Sequence, residues 1–523
     1  MNEDPSEILI RSLQDPALYD HPVSGFNVVE THISWIILTG EYAYKIKKPV
    51  NFGFLDFSTL ELRHHYCREE VRLNGRYASD LYLDVTAIYG APRRPVFRSD
   101  SDPIEYAVKM KQFPQEALLS RLVQRGELRA AHIDTMAVEI AGFHEHATRA
   151  GTADPWGTAE QVRRWALDNF AAIRPLLADP AARQRLRELQ DWTEEEYRRR
   201  QVLLRGRKDG GGIRECHGDL HLGNMFLEGS RIRLFDCIEF NEELRWIDVM
   251  AEVAFVVMDL HDRGRPDFAR RFLNLYLQHT GDYAGLGVMV FYFVYRALVR
   301  AKVTLLRLSQ GHLQDAEEEK VRAEYQAYVA LAQAARCRPP RRLIITHGVS
   351  GSGKTHLAAE LCENMEAVHI RSDVERKRLF GYDMQARTGA KANAGIYTQE
   401  AGEQTYARLE EIAADILDGG YAVIVDAAFL QREQRRRFRE LAQRLGAGFA
   451  ILAVHAPDDV LRERIRRRQH AGRDASEADT DILDLQLREQ EALAPEESGC
   501  AVVIDSSAGT DLAALAERLG KLN

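Results

Sequence analysis

The stretch from Leu343 to Thr355, LIITHGVSGSGKT, limits the fold of this chain more than any other part of its sequence. Its apolar start, rich in β-branched residues, predicts a buried parallel strand. A complete G-x-x-x-x-G-K-[ST] pattern follows, and the apolar residues after it have helical spacing. A glycine-rich loop between a strand and a helix binds phosphate, because successive backbone N–H groups point into one concavity. The sequence therefore predicts an α/β domain with a nucleotide site.

The residues of this loop have separate predicted roles in holding ATP. The glycines let the backbone curl, Lys354 brings positive charge to the β- and γ-phosphates, and the Thr355 hydroxyl can ligate Mg²⁺. A glycine-rich turn with a chance lysine is the alternative, but strand, loop and helix all agree with a phosphate site. The predicted nucleotide contacts are Gly348, Ser350, Gly351, Ser352, Gly353, Lys354 and Thr355.

A second signature lies far upstream, in the octet HGDLHLGN at residues 217–224. Its spacing is that of a kinase catalytic loop, in which Asp219 would accept the proton of an attacking hydroxyl and Asn224 would hold a metal ion. The strand that follows ends in Asp236, which offers a second metal carboxylate. A structural turn is the alternative for this octet. The chain thus carries signatures of two different ATP–Mg²⁺ sites.

Composition excludes several classes of protein. A chain of 523 residues with 45% hydrophobic and 28% charged residues is typical of a soluble protein of roughly two to four domains. The net charge of −9 argues against a nucleic-acid coat or a basic membrane anchor. The six cysteines are scattered, which favours free thiols in a reducing cytosol. The N-terminus has no signal-peptide pattern, and the apolar run 284–295 is too short for a bilayer, so we expect a buried helix and a cytoplasmic protein without a membrane contact.

Periodicity divides the chain into segments. Residues 1–27 form a helical or irregular lead-in, residues 28–115 read as strands with one helix, and residues 116–336 are mostly helical. Residues 337–342, rich in proline and arginine, break the periodicity and form the predicted linker. Strands and helices alternate from 343 to 523, which predicts a parallel sheet with helices on both faces.

Three further residues of the C-terminal part have the chemistry of a kinase site. Asp373 and Arg376 form a D-x-x-R pattern that spans one helical turn after the second strand. The carboxylate can take a hydroxyl proton, and the arginine can hold a substrate anion. A structural ion pair of Arg376 with Asp373 or Glu375 is the alternative. Asp426 ends an apolar strand, at the position from which a carboxylate holds Mg²⁺ through water.

A basic helix follows at residues 461–468, and GRDAS comes after it at 472–476. Arg464 and Arg468 are four residues apart and therefore lie on one face of this helix. Arginines on such a helix could close over ATP and neutralise charge that develops during transfer. A solvated helix face is the alternative, and it suits most arginines of the run.

The motifs at 217–236 resemble those of the aminoglycoside phosphotransferase family, relatives of protein kinases that phosphorylate small-molecule hydroxyls. The resemblance covers roughly residues 30–330 and implies an α+β protein-kinase-like bilobal fold. It also implies that Asp219 is the catalytic base and that Asn224 and Asp236 are Mg²⁺ ligands. Lys45, in Ala-Tyr-Lys, resembles the lysine that grips ATP phosphates, and Glu70 resembles its ion-pair partner.

Two features depart from the protein-kinase pattern, and one alternative is open. No G-x-G-x-x-G loop precedes Lys45, and Cys237 stands where a protein kinase has phenylalanine, which argues against a protein substrate. Because Lys47 lies on the same strand face as Lys45, and Glu69 adjoins Glu70, a solvated charged face is the alternative for these lysines and glutamates.

Residues 341–510 resemble the P-loop small kinases, namely polynucleotide kinase, gluconate kinase and zeta-toxin relatives. The fused arrangement resembles a class of bacterial two-domain proteins. Together the resemblances imply a bifunctional enzyme whose two sites each transfer the γ-phosphoryl group of ATP to a small-molecule hydroxyl. For the C-terminal site we expect an anionic acceptor. Two alternatives stay open: the P-loop half is an ATPase or nucleotide-sensing module that controls the other half, or it is a polynucleotide or nucleotide 5′-hydroxyl kinase.

Overall fold

The computed structural model of the protein describes residues 4–53, 55–309, 315–389, 395–471 and 475–522. By its contacts the chain forms two compact units, Met1–Val162 with Arg205–Asp259 and Arg163–Leu204 with Leu260–Asn523. The second unit therefore contains helices of the predicted helical segment 116–336 as well as all of residues 343–523.

The first unit begins with a small α+β layer. Its elements are α1 (Pro5–Ser12), β1 (Asn27–Glu30), β2 (Ser34–Leu38), β3 (Tyr42–Lys47), α2 (Leu60–Ala78), β4 (Tyr82–Ala91), β5 (Arg94–Val96) and β6 (Glu105–Lys111). The strands form one antiparallel sheet in the order β1-β2-β3-β6-β4-β5.

Alternation along β3 determines what its two faces contact. Tyr44 and Ile46 pack in the same apolar cluster as Leu9 of α1, so the lead-in contributes to this core. Ala43 packs on the other side, with Cys67 of α2. Lys45 and Lys47 share the face of Ala43 and therefore point towards α2.

Helices dominate the next part of the chain, which also contains a short hairpin. The elements are α3 (Leu119–Gln124), α4 (Ala130–His146), α5 (Ala159–Ile173), α6 (Pro180–Asp209), β7 (Ile213–Glu215), β8 (Met225–Glu228), β9 (Arg231–Leu234), α7 (Glu242–Arg245), β10 (Trp246–Asp248) and α8 (Val249–Asp262). In the hairpin, Met225 at the start of β8 pairs with Leu234 at the end of β9. The residues just before β8 and just after β9, which include Asn224 and Asp236, therefore lie side by side.

The second unit contains a helical part and a parallel sheet. Its elements from α9 onward are α9 (Pro266–Thr280), α10 (Leu286–Ser309), α11 (Asp315–Ala335), β11 (Arg342–His347), α12 (Lys354–Asn364), β12 (Ala367–Arg371), α13 (Ser372–Leu379), α14 (Gln399–Asp418), β13 (Ala422–Asp426), α15 (Arg432–Arg444), β14 (Gly448–His455), α16 (Asp458–Ala471), α17 (Thr480–Glu489), β15 (Ala501–Asp505) and α18 (Leu512–Lys521).

The five parallel strands have the order β12-β13-β11-β14-β15. Ile344, Ile424 and Leu452, from three adjacent strands, are fully buried in one core with residues of α12. The carboxyl ends of parallel strands meet at one edge, where ligands bind in sheets of this kind. The predicted fold class, a kinase-like part followed by an α/β P-loop part, is confirmed.

One helix within the described residues has the length and mean hydropathy of a membrane span. The segment Tyr283–Leu308, which contains α10, has a mean hydropathy of 1.4, and 67% of the window is buried inside the protein. A mostly buried core helix meets the same criterion. The buried helix predicted at residues 284–295 corresponds to the start of this segment.

Candidate functional site

The first candidate site contains a buried row of alternating charges between β3 and α2. Lys45 Nζ donates to Glu70 Oε1 at 2.7 Å and also to Asp236 Oδ1. Lys47 Nζ donates to Glu70 Oε2 at 2.6 Å and also to Glu239. Lys47 is 1% exposed and Glu70 is fully buried, which excludes the solvated charged face considered for these residues. No sequence pattern distinguishes Glu239 from the neighbouring acids.

Burial and ion pairing have opposite effects on the pKa values of the lysines and glutamates in this row. Burial lowers the pKa of Lys45, but the charges of Asp236 and Glu70 outweigh it and raise the pKa well above its usual value. Burial likewise opposes ionisation of Glu70, but Lys45 and Lys47 lower its pKa to about 2. For Glu239 burial is the stronger influence, and it raises the pKa despite the charge of Lys47. Lys45 and Glu70 are therefore a charged pair at neutral pH.

We expect Lys47→Met to destabilise the protein by about 3–5 kcal/mol, because it removes one partner of a buried ion pair and leaves Glu239 unpaired. The double variant Lys47→Met with Glu239→Leu should recover most of this loss. Lys48→Met is the matched control, since Lys48 pairs with the exposed Glu30 and should change stability by less than about 1 kcal/mol. Urea unfolding of the full chain measures all three, and equal effects of Lys47→Met and Lys48→Met would contradict the expectation.

Glu252 of α8 holds the loop at residues 217–224. Its Oε1 accepts the Gly218 N–H at 2.6 Å, and its Oε2 accepts the His217 N–H at 3.1 Å. The same Oε2 lies 3.0 Å from His144 Nε2. His144, Glu252 and Cys216 lie close enough to hold a metal ion. Because the Glu252 oxygens already serve these partners, we interpret the cluster as support for the loop.

The structure brings the predicted catalytic residues of this half together. Asn224 Nδ2 donates to the Asp219 carbonyl at 2.9 Å and to Asp219 Oδ2 at 3.1 Å. Phe235 N donates to the Asn224 carbonyl at 3.1 Å, so Asp236 lies beside this pair and in contact with Lys45. Asp236 has a positive φ of 65°, and its N–H is held by the Tyr82 hydroxyl at 2.9 Å. The carboxylate of Asp236 and the amide oxygen of Asn224 are hard donors that suit Mg²⁺.

The second candidate site lies at the carboxyl edge of the parallel sheet. Gly348, Gly351 and Gly353 have φ values of 143°, 82° and 91°, which favour glycine. A Cβ on Gly348 would lie 2.2 Å from the Val454 carbonyl oxygen, and one on Gly351 would lie 2.8 Å from that of Leu461. Close packing and backbone conformation therefore both require glycine here.

Two polar groups of the loop have partners within the chain. Lys354 Nζ donates to the Val349 carbonyl at 2.8 Å and lies 3.4 Å from Ser352 Oγ. Burial lowers the pKa of Lys354 to about 8. The Ser350 N–H donates to Gln486 Oε1 of α17 at 2.7 Å. A loop N–H thus already binds a side-chain oxygen, as it would bind a phosphate oxygen.

A cavity of about 480 Å³ lies in front of this loop. A smaller cavity of about 210 Å³ adjoins it, and Arg376, Tyr397 and Tyr406 line both. Gly348 and Ser352, also predicted contacts, belong to the same loop but do not line the larger cavity. The predicted site residues that do line it are Ser350, Gly351, Gly353, Lys354, Thr355, Asp373, Arg376, Asp426, Arg464 and Arg468.

Arg376 lies at the junction of the two cavities. Its Nε donates to Thr405 Oγ1 at 3.3 Å, and its Cζ lies 4.9 Å from the Tyr397 ring centre. Its Nη1 is 3.8 Å from Asp373 Oδ1, an ion-pair distance longer than a hydrogen bond. The carboxylate of Glu375, the other partner considered, is paired with Arg378.

The two arginines singled out on α16 have fixed contacts. Arg464 Nη1 donates to Ser506 Oγ at 2.7 Å and to the Gly351 carbonyl at 3.3 Å, which ties α16 to the loop. Arg468 Nη2 donates to the Ala478 carbonyl at 2.7 Å, and its buried Nε has no hydrogen-bond partner among the described residues. Both line the cavity, whereas Arg466 and Arg467 are exposed, as a solvated face requires. Of the segment that follows, residues 472–474 lie outside the described residues.

Asp426 is 5% exposed and lies near a histidine that sequence analysis did not single out. His369 Nε2 is 3.3 Å from Asp426 Oδ2. Burial opposes ionisation of Asp426, but His369 outweighs it and lowers the pKa to about 2. The Asp426 carboxylate and the Thr355 hydroxyl line the same cavity and suit Mg²⁺ by the same criterion as the first site. A histidine within the apolar run AVHIR had indicated only a strand.

Comparison with known proteins matches both halves to families. Residues 101–287 match the model of the phosphotransferase enzyme family, and residues 343–493 match that of an AAA domain, AAA_33. The uncharacterized protein Rv2004c of Mycobacterium tuberculosis is 31% identical over 464 residues, which cover 87% of this chain and 89% of that protein. Mb2027c of Mycobacterium bovis gives the same values. The chain belongs to the family of these mycobacterial proteins.

The two matched domains are of kinase type, so this member of the family is a phosphotransferase enzyme, for which they imply ATP as co-substrate. Both resemblances predicted from the motifs are confirmed. Among solved structures, a choline/ethanolamine kinase family protein from Mesorhizobium loti is 12% identical, with a TM-score of 0.37, over 64% of this chain and 95% of that one. A gluconokinase from Sinorhizobium meliloti is 24% identical, with a TM-score of 0.24, over 35% and 91%.

Proposed function

We propose that the protein is a bifunctional kinase in which each half has its own ATP–Mg²⁺ site and transfers the γ-phosphoryl group to a small-molecule hydroxyl. One observation carries this proposal: each half brings together an aspartate that can act as a base, a lysine and further oxygen donors that suit Mg²⁺. In the first half these are Asp219, Lys45 and the Asn224–Asp236 pair. In the second half the corresponding groups surround one cavity.

In the first site Asp219 is the proposed general base. Asn224 Nδ2 fixes its carboxylate, which orients it for the proton of an acceptor hydroxyl. Lys45, held by Glu70, binds phosphate oxygens of ATP. Asn224 and Asp236 would hold Mg²⁺, which would neutralise phosphate charge there.

In the second site the loop N–H groups and Lys354 bind the phosphates, and Asp373 is the proposed base. Thr355 and Asp426 are the proposed Mg²⁺ ligands, and Arg464 and Arg468 lie where they can face the nucleotide. The smaller cavity is the proposed acceptor site. Its volume of about 210 Å³ lies below the ~300–1,000 Å³ of sites for drug-sized ligands, which favours a small metabolite over a nucleic-acid end. Arg376 at its mouth favours an anionic group on that metabolite.

Release of ADP with and without acceptor mixtures tests this function. The proposal expects acceptor-dependent release in Asp219→Ala and in Lys354→Ala, each through the site that remains. Release that is independent of acceptor and lost only in Lys354→Ala would favour an ATPase in the second half. First-site turnover that changes when the second site binds nucleotide, without transfer there, would favour the regulatory alternative.

Arg376→Ala should raise KM for an anionic acceptor by about 10- to 100-fold, because a charged hydrogen bond contributes about 1.5–3 kcal/mol. KM for a neutral acceptor should hardly change. Steady-state kinetics on both acceptors in an Asp219→Ala background measures this, with Arg466→Ala, an exposed arginine of α16, as the control. An equal loss on both acceptors would assign Arg376 to structure through its contact with Asp373.

A further inference from the structure

We propose that His369 and Asn274 are positioning residues of the P-loop site, so that helix α9 helps to position the groups of that site. Asn274 lies within residues 101–287, the segment that matches the phosphotransferase family. The inference deepens the proposed function, since it rests on Asp426 as the carboxylate that holds the metal ion of the second half.

Asn274 binds the backbone of β12 at two points. Its Oδ1 accepts the His369 N–H at 2.7 Å, and its Nδ2 donates to the Ala367 carbonyl at 3.1 Å. β12 is an edge strand of the parallel sheet, and an edge strand presents N–H and C=O groups without a strand partner. The Asn274 amide serves these two groups as a residue of a neighbouring strand would. A bond of Nδ2 to the Arg270 carbonyl, at 3.0 Å, fixes the amide on its own helix.

His369 connects this backbone contact to the proposed metal carboxylate. His369 is 2% exposed, and its Nε2 lies 3.3 Å from Asp426 Oδ2. The strand pairing with β13 fixes the His369 backbone on one side, and Asn274 fixes it on the other. The ring is therefore held in place and orients the carboxylate, which also lines the cavity. Partners of this kind, one step removed from a metal, typically change metal affinity by about 10- to 100-fold when they are lost.

The segment formed by α9 and Tyr283 contacts three of the elements that carry the site. Arg270 of α9 donates to the Glu363 carbonyl at 2.7 and 3.0 Å, near the end of α12, the helix that begins at Lys354. The Tyr283 hydroxyl, just before α10, lies 3.2 Å from Glu375 Oε1 on α13, the helix that carries Asp373. Together with the bonds of Asn274 to β12, these contacts connect the segment to α12, β12 and α13.

The test is titration of the full chain with ATP, once with excess Mg²⁺ and once with EDTA. The binding step of the P-loop is the one that disappears in Lys354→Ala. His369→Leu and Asn274→Leu should weaken Mg²⁺–ATP binding in this step by about 10- to 100-fold and leave metal-free ATP binding unchanged. His369→Gln, which keeps an N–H donor, should retain more of the metal-dependent affinity than His369→Leu.

Asn169→Leu is the matched control. Asn169 is also buried on a helix, and its Nδ2 donates to the Trp165 carbonyl four residues earlier, as Asn274 does to Arg270. It should leave both titrations unchanged. If Asn274→Leu does not fold, Asn274→Asp replaces it in both titrations. This variant keeps the acceptor for the His369 N–H and loses the donor to the Ala367 carbonyl.

Three results distinguish a failure of this inference from a failure of the proposed function. An unchanged Mg²⁺–ATP affinity in folded His369 and Asn274 variants would overturn the inference. An equal loss of both affinities would also overturn it, because general packing and not the metal ligand would then be affected. A wild-type protein without any step that Lys354→Ala removes would instead overturn the proposed function of the second half.

Discussion

Asp219→Ala is expected to lower phosphoryl transfer at the first site by about 10²- to 10⁴-fold and to leave ATP affinity nearly unchanged. The Asp219 carboxylate accepts a hydrogen bond from Asn224 Nδ2, whereas the proposed phosphate contacts come from Lys45 and the metal ligands. Removal of the base therefore slows proton transfer from the acceptor without removing a group that binds nucleotide. The measurement is acceptor-dependent turnover, and KM for ATP, in a Lys354→Ala background that silences the second site.

Asp219→Asn separates the role of base from that of support. The asparagine keeps an oxygen that can accept from Asn224 Nδ2, so the loop should keep its conformation, but it is not a base. We expect the same loss as in Asp219→Ala. Wild-type turnover in either variant would contradict the assignment of the base, and a large rise in KM for ATP would show that Asp219 acts on the nucleotide.

Residues whose positions depend on one contiguous motif could be predicted from the sequence. The loop from Gly348 to Thr355 contains its own strand end, glycines and helix start, so its curled conformation follows from local sequence. The hairpin β8–β9 likewise explains why Asn224 and Asp236 lie together, because its two ends are neighbours by geometry. Lys45 lies on β3 and Glu70 on α2, the next helix along the chain, and the family resemblance implied their ion pair.

Residues that are positioned by packing between distant segments could not be predicted. Glu239 pairs with Lys47 across 192 positions of the sequence, and nothing in the sequence distinguishes it as a partner from the acidic residues near it. His369 meets Asp426 only because β12 and β13 are adjacent in the sheet, an order that periodicity does not reveal. The nucleotide contact of Arg464 stays a prediction, whereas its bond to Ser506 depends on how α16 meets the end of β15, which periodicity does not reveal.

The helices after α8 show a further limit of prediction from the sequence. Composition placed a boundary at residues 337–342, and this boundary stays a prediction. Periodicity indicated helices before it but could not say which core they join, since an amphipathic helix has the same pattern against any apolar surface. The bonds of Arg270 and Asn274 to α12 and β12 place α9 in the same compact unit as the P-loop.

Lys354→Ala is expected to weaken ATP binding at the second site by about 10²-fold or more, and to leave the first site active. Lys354 is half-buried at the end of the loop, and the loss of solvation around its charge lowers its pKa to about 8. Phosphate oxygens would compensate the charge for this lost solvation, and several charge-assisted hydrogen bonds of about 1.5–3 kcal/mol each would be lost with the side chain.

Titration of the full chain with Mg²⁺–ATP should show two binding steps in the wild type and one in the variant. The full chain is needed, because a fragment that begins at residue 337 would lack Asn274 and Arg270. Lys521→Ala, on the exposed end of α18, is the control, and two unchanged steps in Lys354→Ala would mean that the loop does not bind the phosphates of ATP.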